Sequence, residues 1–237
     1  MNIIKIAPAH KLQLKVFGHH IFLSEEDKKY YQIAYESWKQ VWQDVQQQEM
    51  GLKETSFYSD EFTRQDHIIA LFDRDNCVGI AFMREIDLDL NCIKEDSSFR
   101  FWPKTQLLSL NKNQNRIVIA TSFTITPQYR RGEIEWKTLF LSLYLDYFSQ
   151  LQTSIMVTAA RKVKSNEKLC YQLGAKPLMR NVPFTTKSGS YIENEIADLL
   201  YWEKNTLSLL DKYLQYLRNQ VWSSFLKEKH YDKILSA

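Results

Sequence analysis

The chain has 237 residues, with 31 basic and 28 acidic side chains and a net charge of +3. That balance is too mild to hold a polyanion, and no Lys/Arg-rich block or RNA-binding aromatic signature accompanies it, so nucleic acid is excluded as the expected partner. Three cysteines, Cys77, Cys92 and Cys170, are odd in number and lack metal-like spacing, which points to a reduced cytoplasmic setting. No apolar run of about 18 residues occurs and the first residues form no signal-type segment, so a soluble protein is expected.

From the N-terminus, His19-His20 lacks a third ligand at metal-like spacing, and no metal site is expected. Ser24 followed by Glu25, Glu26 and Asp27 reads as a capped helix start. Tyr31, Ala34, Trp38, Val41 and Val45 then recur at helical spacing, a stripe read as core, with Gly51 as the stop. His67 opens an apolar run to Phe72, and a second run goes from Val78 to Met83. With Asp73, Arg74, Asp75 and Asn76 between them, the two predict a hairpin, with His67 in a hydrogen-bonded structural role.

Residues 87–115 read as a long irregular insert carrying Phe99, Phe101 and Trp102. A strand follows, from Ile117 to Ala120 and on through Ser122, Phe123, Thr124 and Ile125 in period-two alternation. The turn after it contains Gln128, Tyr129, Arg130, Arg131, Gly132, Glu133 and Ile134, and an apolar helical pattern begins next. A basic turn between a strand and a helix N-terminus suits a pyrophosphate, because backbone N–H groups and the helix dipole converge there.

Ser165, Asn166 and the residues to Gly174 predict a short helix stopped by glycine. Closing strands are expected around a Ser188-Gly189 turn. Beyond Glu193, Leu199, Leu200, Trp202 and the apolar residues to Phe225 predict a helical appendage. The expected division is therefore a domain over 1–193 and a helical extension over 194–237, packed on the core or at a dimer interface.

The turn from Ile125 through Pro127, Tyr129, Arg130 and Arg131 to Gly132 resembles the acyl-CoA-binding turn of the GNAT acyltransferase superfamily. Asn166, Leu169, Leu173 and Gly174 are similar to that family's later motif, at the expected separation. The resemblance implies an α/β fold of the α+β type: a mixed, mainly antiparallel twisted sheet flanked by helices. Asp60, Glu61, Phe62 and Asp66, with Gly79 and Arg84, resemble the N-terminal half of acyl-homoserine-lactone synthases. The glutamate and arginine of those synthases fall at Ile119 and Ser122, so the resemblance is to the broader long-chain N-acyl amino acid synthase branch.

The resemblance implies transfer of an acyl group, long chain favoured, from acyl-CoA or the phosphopantetheine thioester of acyl carrier protein to an amine. No cofactor is implied beyond that co-substrate. Backbone at Phe123, Thr124 and Ile125 would polarise the thioester, and Gln128, Tyr129, Arg130, Arg131, Gly132, Glu133, Ile134 and Asn166 would hold the donor. Glu133 and Glu135 narrow the approach to the turn, which favours the single phosphate of a carrier-borne arm. The amine needs a base, for which Glu85 stands first, beside Asp87, Glu61 and Asp66. Cys170 falls where the family often has a tyrosine acid, and Tyr171 lies one place on, turned by about 100°. Cys170 also reads as a buried structural thiol. The insert reads equally as the lining of an acyl channel or as a lid on the sheet. A conventional acetyl-CoA-dependent acetyltransferase and a non-catalytic binding protein of the same fold remain open, and membrane contact is the least expected role of the C-terminal face.

Overall fold

The computed structural model describes residues 11–48, 58–94, 96, 99, 102–103, 109, 115–131, 135–162, 165–185 and 191–210. Helix α1 (Glu25–Gln48) starts where the capping serine places it, with the Ser24 hydroxyl accepting the Asp27 N–H at 3.1 Å. Ala34, Trp38, Val41 and Val45 are buried and Tyr31 is half-buried, so the predicted stripe is core. Gly51 lies outside the described residues. Strand β1 (Leu12–Phe17) is tied to this helix by Lys15, whose ammonium reaches Asp27 at 2.9 Å.

A short helix α2 (Asp60–Thr63) leads into the predicted hairpin, β2 (His67–Asp73) and β3 (Asn76–Asp87), which pair antiparallel. Both strands read as nearly continuous apolar runs because both sheet faces are covered here. The chain continues through α3 (Asn91–Lys94), β4 (Arg116–Ile125), α4 (Trp136–Gln150), β5 (Ile155–Arg161), α5 (Asn166–Gln172), β6 (Lys176–Thr185) and β7 (Tyr191–Glu203).

The seven strands form one sheet in the order β1-β2-β3-β4-β5-β7-β6. Every neighbouring pair is antiparallel except β4 and β5. This is the mixed, mainly antiparallel α/β sheet expected of the sequence. One face carries α4 and α5 over Val118, Ala120, Met156 and Leu200. The opposite face is covered by α1 over β2 and β3, and by the insert over β4, β5 and β7. Phe99 and Trp102 are buried there against Ile117, Ile119, Val157 and Leu199, and Arg84 donates to Asp96 at 3.0 Å. These two aromatics are part of a lid on the sheet; Phe101 lies outside the described residues.

One expectation needs correction. The boundary at 193/194 falls inside β7, and Leu199, Leu200 and Trp202 belong to a strand rather than a helical appendage. β7 sits between β5 and β6 with Leu199 in one core and Leu200 and Trp202 in the other. A strand buried on both faces shows no alternation, so its apolar positions mimic helical spacing. A 3-10 helix (Lys204–Leu210) follows, and residues 211–237 lie outside the described part, as does the expected turn at Ser188-Gly189. Among the described residues no helix is long and apolar enough to cross a membrane.

Candidate functional site

The parallel pair β4 and β5 meets only at Val118↔Met156 and Ile119↔Val157. β4 nevertheless runs on to Ile125 and β5 to Arg161. Beyond the two pairs no register partners join the strands, which leaves a gap in the ladder. At its start the Thr158 hydroxyl donates to the Ala120 carbonyl at 2.9 Å. Past that point the facing edges of β4 and β5 do not pair with each other.

A bulge lies on β4 along this gap. Phe82 pairs with Thr121 and Ile80 with Thr124, so three steps on β4 oppose two on β3. Neither Ser122 nor Phe123 has a register partner on β3, and Ser122 is left-handed at φ 55°. The extra residue exchanges the two faces of the strand end. Phe123 stacks on Phe140 of α4 at 5.2 Å, while Thr124 turns to the α1 face beneath Trp42. Thr121, in the middle of a central strand and next to the bulge, is exposed.

The basic turn begins with a 3-10 turn over Pro127–Tyr129, pinned by the Thr126 hydroxyl donating to the Cys77 carbonyl at 2.8 Å. The Arg130 Nε folds back to the Ile125 carbonyl at 2.9 Å, and Gln128 and Arg131 are exposed. Tyr129 stands edge-on to Trp136, with ring centres 5.1 Å apart. Gly132, Glu133 and Ile134 lie outside the described residues. Helix α4 then starts at Trp136 without a side-chain cap from Glu135. Asn166 opens α5 half-buried.

On α5, Cys170 is buried and its thiol is pushed up to about 12 by burial, with Lys137 opposing. A thiol held neutral in this way is inert as a nucleophile. Tyr171 turns toward β7, donating its hydroxyl to Asp198 at 2.8 Å. Burial and that carboxylate push the phenol up to about 12. Asp198 is itself buried and also receives the Asn181 N–H at 2.9 Å and Lys162 Nζ at 3.2 Å. Burial opposes its ionisation, yet the Asn181 N–H, the Tyr171 hydroxyl and the Lys162 ammonium together hold it below the usual carboxylate range. The hydroxyl of Tyr171 is thus engaged by a buried carboxylate on β7.

Glu85 is placed at the far end of the sheet. It pairs with Val118, four residues before Ser122, so about 14 Å of strand separates it from the bulge. Its Oε2 accepts from Thr153 at 2.8 Å and its Oε1 meets His67 Nε2 at 3.2 Å, while His67 Nδ1 bonds Tyr147 Oη at 3.0 Å. Asp66 accepts the Glu85 N–H at 2.7 Å, so this alternative base sits at the same end. Glu85 also lines an open cavity of about 310 Å³ with Asp87, Asn115, Arg116 and Thr153. The bond from His67, then that from Thr153, holds the Glu85 carboxyl below its ordinary range against the effect of burial.

Glu85→Gln is expected to cost about 1 kcal/mol of stability near neutral pH. A depressed folded pKa gives stabilisation that is full above the unfolded value and lost as pH falls through the folded one. Urea midpoints of wild type and variant should differ near pH 7 and converge below about pH 4.

The distant pairing of β4 and β5, the bulge and the helices on one face describe a fold with known relatives in space. No family model matches the chain, and no curated protein matches it in sequence. Among solved structures, FeeM, an N-acyl amino acid synthase from uncultured soil microbes, is similar at 8% identity and a TM-score of 0.53, covering 86% of this chain and 97% of its own. The AHL synthase LasI is similar at 14% identity and 0.54, covering 85% and 94%. Arylalkylamine N-acetyltransferase 2 from Aedes aegypti is similar at 14% identity and 0.56, covering 81% and 99%. The fold is that of the GNAT N-acyltransferases. Within a GNAT fold, the sequence predicts β4, the turn after it and the later helix, but not the bulge, because one extra residue leaves no compositional mark. The commitment of Tyr171 to Asp198 was equally hidden, since the two are 27 residues apart.

Proposed function

We propose that this chain is an N-acyltransferase that passes an acyl group from a thioester donor to an amine by direct attack. The observation that carries the reading is the gap between β4 and β5 with a bulge on its wall. The pantetheine arm of the donor lies in the gap as a surrogate strand, its amides bonding the freed backbone edges. A bulge N–H faces the thioester carbonyl and stabilises the oxyanion as the amine attacks. The amine enters beside the exposed Thr121. With Glu85 at the opposite end of the sheet, the amine arrives as the free base, and the leaving thiolate takes up the proton.

A carrier-borne long-chain thioester is the favoured donor. Glu135 stands immediately before the first turn of α4, where it repels the second charge of a pyrophosphate. Arg130 and Arg131 suit the single phosphate of a phosphopantetheine arm. The engagement of Tyr171 by Asp198 favours a second reading, a non-catalytic binder of the same thioesters. Thermal shifts with coenzyme A, acetyl-CoA, a long-chain acyl-CoA and acyl carrier protein test the site. A ligand at about 100 times its Kd should add about 2.7 kcal/mol. Stabilisation by acylated carrier protein above the others, with amine-dependent thiol release, is the expected result. Stabilisation without thiol release supports the binder, and no shift with any of the four rejects both readings.

A further inference from the structure

We propose that Trp42 and Thr124 form a clamp that fixes the Ser122–Phe123 peptide of the bulge, making both positioning residues for acyl transfer. This rests on the acyl-transfer reading above and says which groups tune it. The Thr124 hydroxyl donates to the Ser122 carbonyl at 2.7 Å and accepts from the Trp42 indole N–H at 3.0 Å. Thr124 is buried, so neither bond has water as a ready substitute. The hydroxyl has a single proton, and with the indole donating to it the direction of both bonds is fixed.

What the clamp holds is a peptide plane. The Ser122 carbonyl and the Phe123 N–H belong to one trans peptide, so they point in opposite directions. Fixing the carbonyl on the α1 side fixes the N–H away from it. Without a clamp this peptide is the freest of β4, because neither Ser122 nor Phe123 has a register partner on β3. The left-handed Ser122, at φ 55°, also needs its surroundings to hold it there.

The other end of the clamp is rigid. Trp42 lies one turn beyond Trp38, whose ring centre is 5.5 Å from both Phe62 and Phe82. Phe123 is held from the opposite face by Phe140. The bulge is thus gripped from α1 and α4 together, which sets an N–H in place before any substrate arrives.

Thr124→Val keeps the shape and removes the hydroxyl, Thr124→Ser keeps the hydroxyl, and Trp42→Phe removes the indole donor. Thiol release from decanoyl-acyl carrier protein in a mixture of the standard amino acids gives turnover, and hydrogen exchange of peptides spanning 118–126 reports the bulge. The expected result for Thr124→Val is turnover lower by roughly 10- to 100-fold with the donor KM within about two-fold. Its bulge amides should exchange about ten-fold faster than any loss of global stability accounts for. Trp42→Phe should follow in the same direction, and Thr124→Ser should restore both readouts. Exchange in Thr124→Val matching wild type overturns the clamp. Faster exchange with unchanged turnover, or a failure of serine to rescue, overturns its role in positioning. A wild-type protein that releases no thiol overturns the acyl-transfer reading instead, and the exchange arm still decides the clamp.

Discussion

Gly79→Ala is expected to lower stability by about 3 kcal/mol and to disorder the bulge. Gly79 on β3 faces Ile125 on β4, at the end of the bulged segment. An added Cβ would sit 2.8 Å from the Thr124 carbonyl oxygen, 2.8 Å from Phe140 Cδ1 and 2.9 Å from Ile125 Cδ1. The two side-chain atoms can swing aside, but the carbonyl is backbone in the ladder and must carry β4 with it. The movement would also reach the hydroxyl of Thr124 and the ring of Phe140, both of which grip the bulge. For a chain of this size the cost corresponds to a fall in Tm of about 6–12 °C. Gly18→Ala is the matched control, since its Cβ would meet nothing closer than the Asp66 carbonyl at 4.0 Å. Equal melting of Gly79→Ala and wild type would show that the β3–β4 approach is looser than described.

Asp198→Ala should cost about 3–5 kcal/mol, the usual penalty for stripping one partner from a buried charged network. Its side chain is 3% exposed, against 28% for Lys162. Removing it strands the Tyr171 hydroxyl and the Asn181 N–H at once. Asn181 is left-handed at φ 58°, within the irregular stretch of β6 between Met179 and Val182, so the carboxylate also braces that irregularity. Asp198→Asn keeps the shape but replaces one of the two accepting oxygens by an N–H donor and removes the charge that faces Lys162, and should cost about 2 kcal/mol.

The pH dependence follows from the direction of the shift. Because the folded pKa of Asp198 is lowered, its contribution is complete above the unfolded value and disappears as pH falls through the folded one. Denaturation midpoints of wild type should therefore fall below about pH 4 along a slope that Asp198→Asn lacks. Parallel slopes for the two proteins would mean that the charge of Asp198 contributes nothing, whatever its hydrogen bonds do.

Much of the frame could be read from residues near one another in the chain. The capped start at Ser24, the stripe through Trp38 and Val45, the hairpin around Arg74 and the glycine stop at Gly174 are local patterns, and the structure repeats them. β7 was misread because Leu199 and Leu200 feed two different cores, which erases the period that marks a strand. The site was less legible for a related reason. Motif resemblance points to β4, but the bulge exists only in the register between β3 and β4, which no stretch of β4 can announce. Glu85 looked well placed because it ends a strand beside β4. Direction along the strand, not adjacency, separates it from the bulge, and antiparallel pairing with β4 puts it toward the other end of β4.

The strand order has a consequence for how the chain is made. β5 touches β4 through two residue pairs, and its other flank is covered by β7, which does not begin until Tyr191. While a nascent chain leaves the ribosome, β5 therefore waits with an almost bare edge until residues up to Glu203 have emerged to pair with Ile155. The far wall of the gap is the last piece of the sheet to be secured. A chain interrupted before that point would hold the bulge, the turn and both covering helices, yet it would have no fixed surface for them to face.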